Sequence, residues 1–272
     1  MEKIICVAGK NDIAVNAVKY LINELKIDKK NLRIISNSTD DGIDSWQPSF
    51  KKFAKDNDIQ EVTQKDMYEV ENLIFISLEF NKIIKPEKYK TKQIYNMHFS
   101  LLPAYKGMYT AVFPLMNGET KGGVTFHYID AGIDTGDIIK QKTYDIDLTD
   151  TARDIYFKNL KYSFELFKEV IEDVLNNKVQ SHPQSNIGAS YYSKQSIDFS
   201  NIQFDFNKTA FEIYNQIRAF IFPEYQLPKI NDKEIYKCVL TEEKMPANQI
   251  IENDDCFEIS GIDYYKVLAY KK

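Results

Sequence analysis

Between positions 96 and 134 the chain carries an amide, an imidazole and a carboxylate: Asn96, His98 and Asp134. The first two open the run Asn96-Met97-His98-Phe99-Ser100-Leu101-Leu102-Pro103. Asp134 heads Asp134-Thr135-Gly136, shortly after a second block, Gly123-Val124-Thr125-Phe126-His127. Together such groups can polarise a carbonyl, carry the negative charge that develops on its oxygen, and collect a proton from an attacking amine.

Rigid elements must hold them. The first half of the chain alternates apolar strand-like runs with amphipathic helical ones, the pattern of a parallel α/β sheet. Lys3 to Ala8, Leu32 to Ile35, Leu73 to Leu78 and Gln93 to Phe99 read as strands. Ala14, Val15, Val18, Leu21, Ile22 and Leu25 recur at helical spacing, with Asp12 as the expected cap. A helix over 48–56 has Pro48 near its first turn. Asn96 and His98 lie two apart near the end of a strand and so share a face; ligands of parallel sheets bind at the carboxyl ends of the strands. Gly122 to Tyr128 and Asp137 to Asp145 are further strands. On the first, Thr125 and His127 share one face, and His127 reads as a support of the site rather than its catalyst. A long helix is expected from Thr151 to Asn177, capped by Thr149 or Asp150. The polar stretch Gln180 to Ser190, with Pro183 and Gly188, reads as a boundary. The expectation is an α/β catalytic domain over 1–180, Rossmann-like with a mostly parallel sheet. A small C-terminal α+β subdomain over 190–272 follows, with a helix at Lys208 to Phe220 and strands at Glu234 to Leu240 and Tyr264 to Tyr270.

Composition narrows the function. A chain of 272 residues, 43% hydrophobic and 28% charged, can bury a sizeable core. No apolar run is long enough for a membrane span, and the N-terminal run reads as a strand rather than a signal. Cys6, Cys238 and Cys256 lie far apart, which points to a reduced, cytoplasmic protein. No cluster of His, Cys and carboxylates has ligand spacing, so no metal is expected. The net charge is −5, and the region from Ile187 onward is also acidic, so nucleic acid is not an expected partner. Tyr264, Tyr265, Val267, Leu268 and Tyr270 form an apolar edge that suits a homodimer or burial against the chain's own helix.

The two blocks together resemble the formyltransferases that use N10-formyltetrahydrofolate. Members of that family carry Asn-x-His-x-Ser-Leu-Leu-Pro after a strand, then Gly-x-Thr-x-His followed by Asp-x-Gly-x-Ile. Here the last part reads Asp134-Thr135-Gly136-Asp137-Ile138, and the resemblance is densest from Leu73 to Asp147. It implies that Asn96 and His98 stabilise the formyl oxyanion, with His98 as a donor. Asp134 is implied to position His98 and help remove the amine proton, directly or through water. N10-formyltetrahydrofolate is the implied co-substrate. Leu78, Phe80 and Ile83 are implied on one side of its pterin, and the loop with Asp130 and Ile133 on the other.

Branches of the family differ in the acceptor. Gly9-Lys10-Asn11-Asp12-Ile13-Ala14 lacks the glycine-rich phosphate loop of the glycinamide branch. Tyr105-Lys106-Gly107-Met108-Tyr109-Thr110 stands where the initiator-tRNA branch commonly has Arg-x-Gly-Ala-Ala-Pro. That run and the short C-terminal region look like the sugar N-formyltransferases. Those enzymes, commonly homodimers, formylate a nucleotide-linked amino-dideoxy sugar, usually a dTDP sugar, for surface polysaccharides such as lipopolysaccharide O-antigen. The resemblance then implies acceptor contacts from Lys10, Asn11, Trp46, Gln47, Tyr105, Met108, Tyr109 and Tyr225. It leaves open a C3 or C4 amine, the sugar configuration and the base. A methionyl-tRNA formyltransferase is the alternative of the same chemistry, and a non-catalytic folate- or nucleotide-binding scaffold the alternative without it.

Overall fold

The apolar runs of the first half fold as strands that are largely buried, as uninterrupted apolar runs require. In the computed structural model, which describes residues 2–272, β1 (Ile4–Gly9), β2 (Leu32–Ser36), β3 (Gln60–Glu61), β4 (Leu73–Leu78) and β5 (Ile94–His98) pair in parallel. The helices α1 (Asn11–Asn23), α2 (Phe50–Asp56) and α3 (Gln64–Met67) lie in their connections. Then come β6 (Lys106–Gly107), α4 (Phe113–Met116), β7 (Lys121–Tyr128), β8 (Ile138–Asp145), α5 (Ala152–Leu175) and β9 (Tyr191–Tyr192). Strand order in the sheet is β3-β2-β1-β4-β5-β7-β8, with β7 antiparallel to β5, so the sheet is mostly parallel. The chain runs outward from β1 to β3 and then returns to β4 on the other side of β1. That reversal puts the topological switch point at the carboxyl ends of β1 and β4, the place where doubly wound sheets take their ligands. Among the described residues no helix is long and apolar enough to cross a membrane.

The chain divides into two compact units, one of residues 1–106, 123–143 and 159–190, the other of residues 107–122, 144–158 and 191–272. In the first, the carboxyl ends of the strands are tied together. A Cβ on Gly9 would lie 2.0 Å from the Leu78 carbonyl oxygen, an approach only glycine permits. Asn37, 1% exposed, donates its backbone N–H to Gly9 O and its amide to Glu79 O, and accepts from the Asn81 N–H. Two helix starts differ from expectation. Lys10, not Asp12, is the N-cap of α1, and the Asp12 N–H donates instead to Gln47 Oε1 at 3.0 Å. Ser49 caps α2, so Pro48 lies just outside the helix.

The second unit holds α6 (Ala210–Arg218) and an antiparallel sheet of β10 (Lys229–Ile230), β11 (Lys233–Lys244), β12 (Ile250–Glu252), β13 (Cys256–Ser260) and β14 (Tyr265–Lys271), in the order β10-β11-β14-β13-β12. α6 begins where Thr209 and Glu212 form a capping box. It packs Ile213, Tyr214 and Ile217 against Phe257, Ile259 and Val267. The alternation in Cys256-Phe257-Glu258-Ile259-Ser260 carried a strand signal that so short a run left easy to pass over. Thr151, rather than Thr149 or Asp150, exchanges hydrogen bonds with Asp154 at the start of α5. Arg218 is 2% exposed and donates to the carbonyls of Asp147, Leu148 and Asp150 and to Asn215 Oδ1. Removing its fork takes that donor from the buried Asp150 carbonyl and from Asp147 O, while the Tyr214 hydroxyl still reaches Leu148 O, so Arg218→Leu is expected to lower stability by about 2 kcal/mol, read from urea midpoints.

Candidate active site

Asn96 and His98 stand at the third and last positions of β5, where its neighbours fix their surroundings. Antiparallel register sets Asn96 opposite His127 and His98 opposite Thr125, and parallel register sets Asn96 opposite Ser77. Both side chains reach Asp134 from the same face of the strand. The Asn96 amide donates one hydrogen to Asp134 Oδ1 and the other to His127 Nε2, each at 3.2 Å. His98 Nδ1 lies 3.5 Å from Asp134 Oδ2, and His127 Nε2 lies 3.6 Å from Oδ1.

The partners of the rings decide their protons. His98 Nε2 is 2.8 Å from the Tyr105 carbonyl, which only accepts, so Nε2 carries hydrogen. Likewise His127 Nδ1 donates to the Tyr128 carbonyl at 2.7 Å, which leaves Nε2 to accept from Asn96. Burial pushes the His98 imidazole below its ordinary value of 6.5, against the pull of the Asp134 charge and the Tyr105 carbonyl and with a small push from His127. At neutral pH His98 is therefore uncharged, with its Nδ1 lone pair toward Asp134. The geometry corrects one expectation. His98 has spent its Nε2–H on the backbone, so it becomes a donor to an oxyanion only with a proton on Nδ1.

The second block is what holds the first. Thr125 Oγ1 donates to Ser100 O at 2.6 Å and accepts from the Leu102 N–H at 3.1 Å, pinning the chain just past His98. Gln141 on β8 donates to the same hydroxyl and to Leu102 O. A Cβ on Gly123 would meet the Leu101 side chain at 2.4 Å. Asp134 adopts φ +53, a left-handed conformation that Asp tolerates better than most residues. Gly136 has no such choice, since a Cβ there would lie 1.9 Å from the Tyr128 carbonyl oxygen. Asp130 accepts from the Gly132 N–H and the Thr135 hydroxyl, so it folds this loop.

Other expected site residues fall in different places. Leu78 has no exposed surface and belongs to the core, which leaves no side-chain area for a ligand. Phe80 and Ile129 each lie half-buried against one core cluster, while Ile83, at 74%, and Ile133 are exposed. Asn11, at φ +60, donates to Glu79 across the ends of β1 and β4. Lys10 is half-buried beside it, and Trp46 is partly exposed. Gln47 is buried, and its oxygen is committed to α1. Tyr105, at φ +59, reaches His98 through its carbonyl. Met108, Tyr109 and Tyr225 belong to the second unit, where Met108 N–H donates to Tyr192 O, the Tyr109 hydroxyl to Lys194 O, and Tyr225 packs on Phe222. Sequence reasoning missed Asn37, Gln141 and Gln184. The last lay in the stretch read as a linker, yet it donates to the carbonyls of Asp134 and Gly136. Among the described residues no His, Cys, Asp and Glu gather as metal ligands.

With this geometry in hand, comparison with known proteins is informative. A family model described as formyl transferase matches residues 2–171. The chain belongs to the formyl transferase family. It is 47% identical, over all of this chain and 98% of the other, to WlaRD, a sugar 3N-formyl transferase crystallised in the presence of dTDP and 5-N-formyl-THF, with a TM-score of 0.95. The N-formyltransferase from Helicobacter canadensis, in complex with folinic acid and dTDP-3-aminofucose, is 46% identical, with a TM-score of 0.96 and complete coverage of both chains. Methionyl-tRNA formyltransferase of Alkaliphilus oremlandii is 30% identical over 172 residues, 61% of this chain and 54% of that protein. The chain thus spans about half the length of the curated relatives of that kind. Within the formyl transferase family, then, likeness to sugar enzymes runs the whole length, while likeness to the tRNA enzymes is partial.

The lowered His98 value sets a sign for stability. The unfolded chain binds a proton at His98 more readily than the folded one, so this contribution is whole above the unfolded value and is lost as pH falls through the folded value. Urea midpoints measured between about pH 5 and 7 are expected to fall more steeply on acidification for the wild type than for His98→Gln.

Proposed function

We propose that the protein transfers a formyl group from N10-formyltetrahydrofolate to the amine of a dTDP-linked amino-dideoxy sugar, with the amine at C3. The convergence of Asn96, His98 and Asp134 on one face of β5 carries the reaction. Likeness at 46–47% identity to two sugar enzymes, one described as 3N and one holding dTDP-3-aminofucose, supports the acceptor. Half-buried Phe80 and Ile129, with Ile83 and Ile133 open beside them in sequence, give an apolar flank suited to a flat pterin ring. Bound there, N10-formyltetrahydrofolate supplies the electrophilic formyl carbon.

The chain's own groups then divide the work. Asp134 takes the proton that the attacking amine sheds and shares it with His98 Nδ1, 3.5 Å away. A protonated Nδ1 turns His98 into the donor that a developing oxyanion needs. When the adduct collapses, the bond from the formyl carbon to N10 breaks, and the proton held between Asp134 and His98 passes to N10 of the departing tetrahydrofolate. The low dielectric around buried His98 strengthens each of these contacts. Lys10, Asn11, Trp46 and Tyr105 read the acceptor, and Gln47 shapes the start of α1. The protein acts in the cytoplasm as a homodimer, without nucleic acid, and serves surface-polysaccharide synthesis such as lipopolysaccharide O-antigen. The acidic net charge supports the absence of a nucleic-acid partner, and exposed Tyr264 and Tyr265 support the homodimer.

Turnover of N10-formyltetrahydrofolate with matched dTDP-3-amino and dTDP-4-amino sugars tests the reading. Formamido product is expected on the 3-amino sugar, with kcat lowered about 10²- to 10³-fold in His98→Asn and in Asp134→Asn. Formylation of initiator methionyl-tRNA instead would favour the partial likeness, and binding without turnover on any amine would leave a scaffold. Light scattering after size exclusion is expected to give twice the chain mass.

A further inference from the structure

The stretch 182–190 reads as a polar linker, yet its long-range hydrogen bonds fall on the two loops that frame the catalytic pair. His182 exchanges backbone hydrogen bonds with Ile138 at the start of β8. Gln184 Nε2 donates to Asp134 O at 2.9 Å and to Gly136 O at 2.8 Å. Ser190 accepts from the Tyr105 N–H on its hydroxyl and from the Lys106 N–H on its carbonyl, and donates its own N–H to Pro103 O. One arm of this strap holds the loop of Asp134. The other holds Tyr105, whose carbonyl takes the His98 proton.

We propose that Gln184 is a positioning residue for formyl transfer, fixing Asp134 and, through it, His98. The orientation of its amide follows from chemistry, because two carbonyls converge on one end and only the NH₂ end can donate to both. Asp134 sits in the left-handed region, where a non-glycine residue needs its surroundings to hold it. Gly136 is pressed against the Tyr128 carbonyl and blocks relaxation on that side, so the two carbonyl bonds to Gln184 close the turn from the other. The carboxylate between them is thereby aimed at His98, Asn96 and His127 at once. The other end of the amide argues against a packing role. Gln184 Oε1 is buried with no partner among the described residues, which costs stability that leucine or methionine would not. What glutamine adds over either is a pair of N–H donors.

This inference rests on the formyl-transfer reading for its kinetic arm only. In Gln184→Leu and in the isosteric Gln184→Glu, which presents no donor at neutral pH, kcat is expected to fall about 10- to 100-fold with both KM values held within about threefold. In the ligand-free protein, the NMR titration midpoint of His98 is expected to drop below that of the wild type in Gln184→Leu, because the Asp134 charge no longer faces Nδ1. Kinetics within twofold of wild type together with an unmoved His98 titration would overturn the proposal. Should the wild type turn over no amino sugar, the reaction reading fails and the His98 titration alone judges Gln184. Should both variants fail to fold, hydrogen exchange on the wild type decides. Slow exchange of the Gln184 side-chain amide supports the clamp, and exchange at the rate of a free glutamine overturns it.

Discussion

A carboxylate held between two imidazoles and an amide, largely out of water, is the constraint on which the first unit is built. Asp134 is only 13% exposed at its side chain and faces His98, His127 and Asn96 at 3.2–3.6 Å. A buried carboxylate is tolerated only with donors around it. The Asn96 amide is the donor that meets Asp134 and His127 together, so it fixes the anion and the His127 tautomer in one contact. His98 completes the arrangement with its proton turned away, onto the Tyr105 carbonyl. That leaves an unprotonated nitrogen facing a carboxylate. Such a pair is poised to share a proton delivered to it, and an enzyme that must take one from an amine has use for that.

Most of the backbone irregularity nearby serves this arrangement. Asp134 and Tyr105 both lie at positive φ, and each sits on one side of His98. Gly136 and Gly123 accept approaches that a methyl group would forbid, so the Asp134 loop presses against Tyr128 and β7 against Leu101. Thr125, opposite His98 in the register, fastens Ser100 and Leu102 with one hydroxyl. Strain of this kind persists when the surroundings over-determine it, and here the surroundings are β7, β8 and the strap at 182–190.

On the proposed reading, specificity for the acceptor sits on a different physical footing from the chemistry. Asn96, His98 and Asp134 are interlocked and largely out of water. Trp46 and Lys10, proposed for the acceptor, are exposed and half-buried. Side chains that do not stabilise the fold are free to vary with the substrate, which suits a family whose members share a donor and differ in the amine.

Much was legible in the residues alone. Uninterrupted apolar runs announced the buried strands, because a strand covered on both faces can carry no polar residue without a partner. Two-residue spacing put Asn96 and His98 on one face, and the paired blocks pointed to the family. Helix starts were less legible, since a cap depends on which side chain arrives from elsewhere: α1 takes its extra acceptor from Gln47, thirty-five residues away. Leu78 shows the same limit from the other side, for an apolar residue at a strand end can line a pocket or fill a core, and here it fills the core. Gln184 lay hidden for the plainest reason: a polar residue between Pro183 and Gly188 has no local signature of function. Sequence determined which elements form and which side chains share a face, because those follow from local periodicity. Tertiary structure decided which proton each histidine holds and which distant glutamine holds the aspartate, because hydrogen bonds between separate segments exist only once the segments meet.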